Sequence, residues 1–117
     1  MRGIAPELLF DYLATNKGFM VCRPVFDKGY DRIVEHKGKM SRIQIKSVQH
    51  KDRGSYLVRT GGTKSRKYRD EFDYYAIYLK HDCVWVILPS HIPQSTGLKV
   101  SMKGKYSKYF ENWDQLK

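Results

Sequence analysis

Asp31, Gln44 and Lys46 have side chains suited to chemistry on a phosphate ester. A carboxylate, a side-chain amide and the main-chain carbonyl of Ile45 offer the oxygen ligands that hard divalent cations prefer. An ammonium group can stabilise negative charge in the transition state or orient an attacking water. The residue types therefore predict metal-assisted hydrolysis if the fold brings them together. The alternative is a surface ion pair between Asp31 and Lys46, worth at most about 1 kcal/mol, and the residues alone leave both interpretations open.

A predicted hairpin brings these residues together. The strands Tyr30–Glu35 and Met40–Val48 flank Lys37-Gly38, which has the composition of a two-residue turn. With that turn, Asp31 lies directly opposite Gln44, and their Cβ atoms are about 4.5–5.5 Å apart. The lysine two residues after Gln44 shares its face, whereas the isoleucines on either side of Gln44 point the other way.

A helix predicted over Pro6–Lys17 adds a further carboxylate. Proline suits the first turn, an acidic residue follows it, and Gly18 ends the pattern. Glu7 lies three residues before Phe10, so we expect it on or beside the buried face. From there it would serve as a metal or water ligand.

The remaining apolar patterns predict a mixed sheet. Further strands are expected at Phe19–Arg23, Ser55–Arg59, Phe72–Leu79 and Cys83–Leu88, and a terminal helix at Tyr106–Leu116. A helix followed by hairpins, strands and another helix indicates an α/β architecture with a mixed β-sheet flanked by helices. At 117 residues we expect a single domain, residues 1–117.

The net charge of +10 is concentrated in the middle of the chain. Residues 37–69 hold eleven of the 22 basic residues and one acidic residue, Asp52, while the other basic and acidic residues cancel. Such a localised excess favours a polyanionic partner, usually nucleic acid. We expect the DNA-binding residues to be Lys51, Arg53, Lys64, Arg66, Lys67 and Arg69.

The last four of these residues belong to a segment at about 60–69 that lacks apolar residues from position 61 to 67. We expect a mobile basic loop that contacts DNA phosphates, and the alternative is a solvated turn. No stretch has the roughly 18 consecutive apolar residues of a membrane span, and the N-terminus lacks a signal-peptide pattern. We therefore expect a cytoplasmic protein without membrane association.

The order and spacing of these residues resemble the PD-(D/E)XK nuclease superfamily. Asp31 is followed, after twelve residues, by Gln44-Ile45-Lys46, and the helix supplies Glu7. The Q-x-K form is most similar to small homing endonucleases of group I introns, of cyanobacterial and phage type. Flanking phrases also resemble that group: Pro6-Glu7-Leu8, Gly29-Tyr30-Asp31, Phe72-Asp73-Tyr74-Tyr75-Ala76 and Leu88-Pro89.

The resemblance implies the fold of restriction endonucleases and a bacterial or phage-encoded enzyme. It implies Glu7, Asp31, Gln44 and Lys46 as catalytic residues, and Asp31, Glu7 and the carbonyl of Ile45 as ligands of Mg²⁺ (or Mn²⁺). The chain departs from the superfamily pattern at two positions: Tyr30 replaces a proline, and Gln44 replaces an acid. The second change removes a negative ligand, which leaves open whether one or two metals act.

Three functions follow from this resemblance. The first is a site-specific endonuclease acting on double-stranded DNA; one small domain reads few base pairs, so a homodimer or homotetramer is expected. The second is a Holliday junction resolvase, although the glutamine at position 44 disfavours it. The third is a nucleic-acid-binding module without catalytic activity.

A variant of the basic loop tests its predicted contact with DNA. Replacing Lys64 by Ala should weaken DNA binding and make the dependence of affinity on salt concentration shallower, because one phosphate contact is lost. Affinity measured over a series of salt concentrations gives this slope. An unchanged slope would remove the loop from the interface.

Overall fold

A five-stranded sheet contains the two strands that carry the predicted chemistry. The computed structural model describes residues 4–25, 29–60, 71–93 and 97–117. The strands within these ranges are β1 (Met20–Cys22), β2 (Arg32–His36), β3 (Lys39–Val48), β4 (Lys51–Asp52), β5 (Ser55–Arg59), β6 (Tyr74–Leu79), β7 (Val84–Pro89) and β8 (Gly97–Val100).

The sheet has the order β1-β2-β3-β6-β7. Strands β3 and β6 are parallel, while the other neighbouring pairs are antiparallel. The chain between β3 and β6 includes β4 and β5, which form a separate three-stranded sheet with β8, in the order β4-β5-β8. The mixed α/β fold predicted from the sequence is therefore confirmed.

The hairpin of β2 and β3 has the register expected from the sequence. Lys37 and Gly38 have φ angles of 50° and 88°. Positive φ at both central residues is typical of the two-residue turn whose twist matches that of the strands. Arg32 pairs with Ile43 and His36 with Lys39, so the predicted register is correct. The strand begins at Arg32 rather than Tyr30, however, and the expected pair of Asp31 with Gln44 is not part of the ladder.

Helix α1 (Pro6–Asn16) covers one face of this sheet. Its fully buried residues, Phe10 and Ala14, belong to an apolar cluster with Val34, Ile43 and Ile45. Gly18, at φ 92°, follows the helix in a conformation that favours glycine. Within the described ranges no helix is long and apolar enough to cross a membrane.

The three-stranded sheet provides the apolar residues on the opposite side of β6 and β7. Tyr56 and Val58 of β5 and Leu98 of β8 form a second cluster with Tyr75 and Ile77 of β6. Strands β4 and β8 were not among the strands expected from the apolar patterns. Helices were expected to flank the sheet, but α1 is the single α-helix among the described residues.

The predicted helix over Tyr106–Leu116 is wrong. This segment forms two short 3₁₀ turns, Ser107–Tyr109 and Trp113–Leu116. Between them Phe110 is extended and forms a β-bridge with Val86, and the Glu111 amide donates to the Trp85 carbonyl at 2.7 Å. These contacts with β7 take the place of the backbone hydrogen bonds that would make the segment one continuous helix.

A buried ion pair joins α1 to the beginning of β2. The side chain of Arg32 is 5% exposed, and its Nε and Nη2 donate to the two carboxylate oxygens of Asp11 at 2.7 and 3.1 Å. Its Nη1 donates to the main-chain carbonyl of Asp31 at 2.7 Å. The guanidinium therefore fixes the helix and the residue before β2 relative to each other.

Removal of Asp11 tests this ion pair. Asp11→Ala leaves the buried charge of Arg32 without its carboxylate, and we expect the free energy of unfolding to fall by about 3 kcal/mol. The double variant Asp11→Ala/Arg32→Met removes the buried charge and should recover much of that loss. Denaturant unfolding measures both values, and a double variant no more stable than Asp11→Ala would contradict this account.

Candidate active site

Asp31 lies where the pairing of β2 with β3 ends. The last pair of this ladder is Arg32 with Ile43. One residue earlier in the chain, the Asp31 amide donates to the Ile43 carbonyl at 2.8 Å, and Asp31 Oδ2 accepts the Ile45 amide at 2.8 Å. The carboxylate therefore occupies the position beside β3 that a continued β2 backbone would take. Its other oxygen, Oδ1, takes no part in this bond.

The carbonyl of Ile45 points towards the same side of β3 as its amide. The N–H and C=O groups of one strand residue face the same neighbouring strand. Residues 42 and 48 of β3 accept bonds from amides beside β6, whereas Ile43 accepts from Asp31. Ile45, two residues after Ile43, therefore directs both backbone groups towards Asp31, where the carbonyl is suitably placed as a metal ligand.

Gln44 and Lys46 lie on the face of β3 opposite α1. They pair in register with Tyr75 and Ile77 of β6, whose side chains belong to the second apolar cluster. Lys46 Nζ lies 6.0 Å from the centroid of the Tyr75 ring. Burial lowers the pKa of Lys46, and the negative charge of Asp31 opposes that shift. The structure thus brings Asp31 and Lys46 within electrostatic range while the isoleucines pack against α1.

Glu7 is exposed, which corrects the expectation that it lies on or beside the buried face. The buried residues of α1 begin one turn later, at Phe10, because the first turn packs little against the core. The Glu7 carboxylate is nevertheless close enough to Arg32 to affect its pKa. The pKa of Arg32 is raised, by Asp11 above all, and the charges of Glu7 and Asp31 also contribute to this shift.

Arg32 and Asp11 are the residues of this region that the sequence analysis missed. Two signals in the chain point to them. Asp11 follows Glu7 by four residues, so both lie on neighbouring turns of α1. Arg32 directly follows Asp31, and side chains of successive strand residues point to opposite faces.

Asp73 has a structural role between β3 and β6. Its Oδ2 accepts the Arg42 amide at 2.7 Å, and its Oδ1 accepts Arg42 Nη2 at 3.1 Å. In return, the Asp73 amide donates to the Arg42 carbonyl at 2.9 Å. Asp73 therefore aligns β6 with the strand that carries Gln44 and Lys46.

The oxygen donors at this edge suit a hard divalent cation. The Asp31 carboxylate, the Ile45 carbonyl and the Gln44 amide belong to the ligand class that Mg²⁺ prefers. Within the described ranges no three His, Cys, Asp or Glu residues are grouped as in a metal site. At position 44 the glutamine offers a neutral oxygen where an acid would offer a charged one.

The predicted DNA-binding residues fall into two groups. Lys51 forms an ion pair with Asp82 at 3.0 Å, and Arg53 is exposed in the turn between β4 and β5. Asp82 also accepts the Tyr56 hydroxyl at 2.7 Å; burial and this carboxylate raise the pKa of Tyr56 to about 12. The other predicted contacts lie outside the described residues, as does most of the basic loop: Lys64, Arg66, Lys67 and Arg69.

Comparisons with known proteins bear on the family and the fold of the chain. The family model described as PD-(D/E)XK endonuclease matches residues 11–115. The bacterial homing endonuclease I-Ssp6803I superposes with a TM-score of 0.77 at 20% identity, over 94% of this chain and 84% of that one. The Holliday junction resolvase Hjc of Archaeoglobus fulgidus superposes with a TM-score of 0.58 at 13% identity, over 89% and 84% of the two chains. No curated protein sequence gives a significant match.

The pKa of Lys46 in the metal-free protein reports its burial and its electrostatic interaction with Asp31. Because burial lowers this pKa, fold stability should rise with pH between the folded and the higher unfolded pKa. Asp31→Asn removes the opposing charge and should lower the pKa of Lys46 further. Titration of the lysine side chains by nuclear magnetic resonance measures the shift.

Asp114→Asn provides a matched control, since Asp114 is 83% exposed and is paired with Lys117. We expect it to leave the Lys46 titration unchanged. Equal titration curves in the wild type and Asp31→Asn would show that the two groups do not interact.

Proposed function

The chain belongs to the PD-(D/E)XK endonuclease family, and on this basis we propose that it is a metal-dependent endonuclease of the homing type, which hydrolyses phosphodiester bonds at specific sites in double-stranded DNA. The observation that carries the proposal is the bond from the Ile45 amide to Asp31 Oδ2 at 2.8 Å. It holds a carboxylate against the strand that presents Gln44 and Lys46. In an ordinary surface ion pair, the carboxylate would not take the place of a neighbouring strand as the hydrogen-bond acceptor for a β3 amide.

We assign the ligands of a divalent cation to Asp31, Glu7 and the Ile45 carbonyl, with the Gln44 amide as a neutral donor. Mg²⁺ (or Mn²⁺), when bound, polarises the phosphate and makes a bound water more acidic. The bond from the Ile45 amide orients the Asp31 carboxylate before any ligand arrives, because it fixes one of its two oxygens.

Lys46 stabilises negative charge on the phosphate during attack. Its ammonium group is partly desolvated, and electrostatic interactions are stronger where water is excluded. In the metal-free protein the negative charge of Asp31 favours the protonated form of Lys46, and a bound cation would offset that charge.

We propose that the basic residues of the middle segment hold the DNA backbone. Arg53 is exposed in the β4–β5 turn, whereas Lys51 is held in an ion pair with Asp82. A protein this small reads a long site only as a symmetric assembly, which supports a homodimer or homotetramer. A cytoplasmic location in a bacterial or phage-infected cell would give such an enzyme access to its substrate.

A resolvase of four-way DNA junctions is the second candidate, supported by the likeness of the fold to Hjc. The higher TM-score with the homing endonuclease and the Q-x-K form of the motif favour the first candidate. A binding module without catalysis is the third outcome that an experiment must separate.

A cleavage assay with three substrates tests the proposal. Supercoiled plasmid, a four-way junction and genomic DNA are incubated with Mg²⁺ or with EDTA. We expect cleavage of duplex DNA that requires Mg²⁺. Lys46→Ala should lower the rate by about 10²–10³-fold, because it removes charge stabilisation of the transition state, and Asp31→Asn should abolish cleavage.

Lys80→Ala and Asp114→Asn are the matched controls, since both residues are exposed. They should cleave like the wild type. Preferential cleavage of the junction would favour the resolvase. Intact substrates in Mg²⁺, together with wild-type DNA affinity of both active-site variants, would instead identify a binding module.

A further inference from the structure

An open groove of about 700 Å³ lies beside β8, away from the residues assigned to catalysis. Lys99 of β8 lines it together with Lys105, which precedes the first 3₁₀ turn, and Lys108, which lies within that turn. Leu98 and Ile92 add apolar surface. None of the residues that line it contributes to the edge of β3 that carries Gln44 and Lys46.

The charged residues that line the groove are all basic. Its described lining residues include three lysines and no acid, and the segment 97–110 has four lysines and no aspartate or glutamate. A concave surface lined by one sign of charge concentrates the electrostatic field and attracts the opposite charge. The ligand class that fits is therefore anionic.

Two tyrosines narrow the ligand class further. Tyr106 and Tyr109 line the groove and are partly buried. Lys105 Nζ and Lys108 Nζ each lie 5.2 Å from the centroid of the neighbouring tyrosine ring. Proteins that bind unpaired nucleotides combine cationic and aromatic side chains. The cationic groups contact the phosphates, and the bases stack on the aromatic rings.

The shape of the groove favours a single strand over a duplex. The groove is open and has a volume of about 700 Å³, which leaves space for unstacked nucleotides beside the tyrosine rings. The bases of a duplex are stacked and paired, and they cannot enter a pocket without being flipped out. A duplex on the rim would therefore touch lysines but leave the tyrosine rings unused.

We propose that this groove is a second nucleic-acid site, which binds single-stranded DNA through Lys99, Lys105, Lys108, Tyr106 and Tyr109. Tyr30, the residue before Asp31, packs against the same apolar cluster as the two tyrosines of the groove. The groove and Lys46 thus lie on the same side of the five-stranded sheet, opposite α1. A strand held in the groove would remain on the side of the molecule where cleavage is proposed.

Binding measured in EDTA tests the groove without any cleavage. A fluorescent oligothymidylate and a duplex of equal length are titrated with the full chain over a range of salt concentrations. Lys105→Gln/Lys108→Gln should weaken binding of the single strand and reduce the slope of log affinity against log salt by about 1.4, because each phosphate contact contributes about 0.7. Tyr109→Leu should weaken single-strand binding about fivefold or more, because a base loses its stacking partner.

Lys17→Gln/Lys80→Gln removes the same charge from two exposed positions outside both the groove and the basic middle segment, and is the control. Thermal unfolding verifies that each variant is folded. Photocrosslinking of 5-iodouracil DNA to Tyr106 or Tyr109 of the wild type would support the proposal independently of any variant.

An unchanged slope for Lys105→Gln/Lys108→Gln would overturn the groove as a binding site, and so would an equal loss in the control. Equal losses for the single strand and the duplex would assign the lysines to a duplex interface and overturn the single-strand site. Absence of cleavage in the assay above leaves these outcomes unaffected, so the two proposals fail separately.

Discussion

The buried charge of Arg32 is the constraint on which the arrangement of the site depends. A guanidinium with a 5% exposed side chain must be compensated, and Asp11 supplies both carboxylate oxygens from α1. The same guanidinium binds the carbonyl of Asp31, the residue where β2 stops pairing with β3. The Arg32 side chain therefore fixes α1 relative to the residue before β2. The position of Glu7, on α1, relative to Asp31 follows from this contact.

Ion pairing also determines which carboxylates are available to bind a metal. Asp11 is committed to Arg32, and Asp73 is committed to Arg42. Asp31 uses one oxygen for the Ile45 amide, and Glu7 is exposed at the first turn of α1. Beside them, Gln44 provides an oxygen without charge. Such a site has fewer negative ligands than one with an acid at position 44, and we expect the phosphate of bound DNA to contribute to cation binding.

The sequence predicts the hairpin well because its determinants are local. A Lys-Gly turn and two alternating strands define the register, and the register determines the faces of Ile43, Gln44, Ile45 and Lys46. The helix was also predicted correctly, since proline and glycine mark its ends. The family resemblance then indicates the fold and the nuclease class.

Long-range contacts explain what the sequence does not predict. The apolar pattern around Tyr106–Leu116 suits a helix, but the bond from the Glu111 amide to Trp85 selects an extended link instead. Strand β8 has four residues and is defined by its pairing with β5. The partnership of Arg32 with Asp11 joins residues 21 positions apart. Each depends on a partner that is distant in the chain, so no local pattern shows the pairing.

Paramagnetic broadening by Mn²⁺ tests most directly whether a cation binds at the edge of β3. Backbone amide spectra of the isotope-labelled protein are recorded during titration with Mn²⁺, with and without uncleavable duplex DNA. We predict that the amides of Asp31, Ile45 and Lys46 broaden first, that DNA lowers the required Mn²⁺ concentration, and that Asp31→Asn abolishes the effect. Broadening centred on other residues, or unchanged by Asp31→Asn, would contradict the proposed active site.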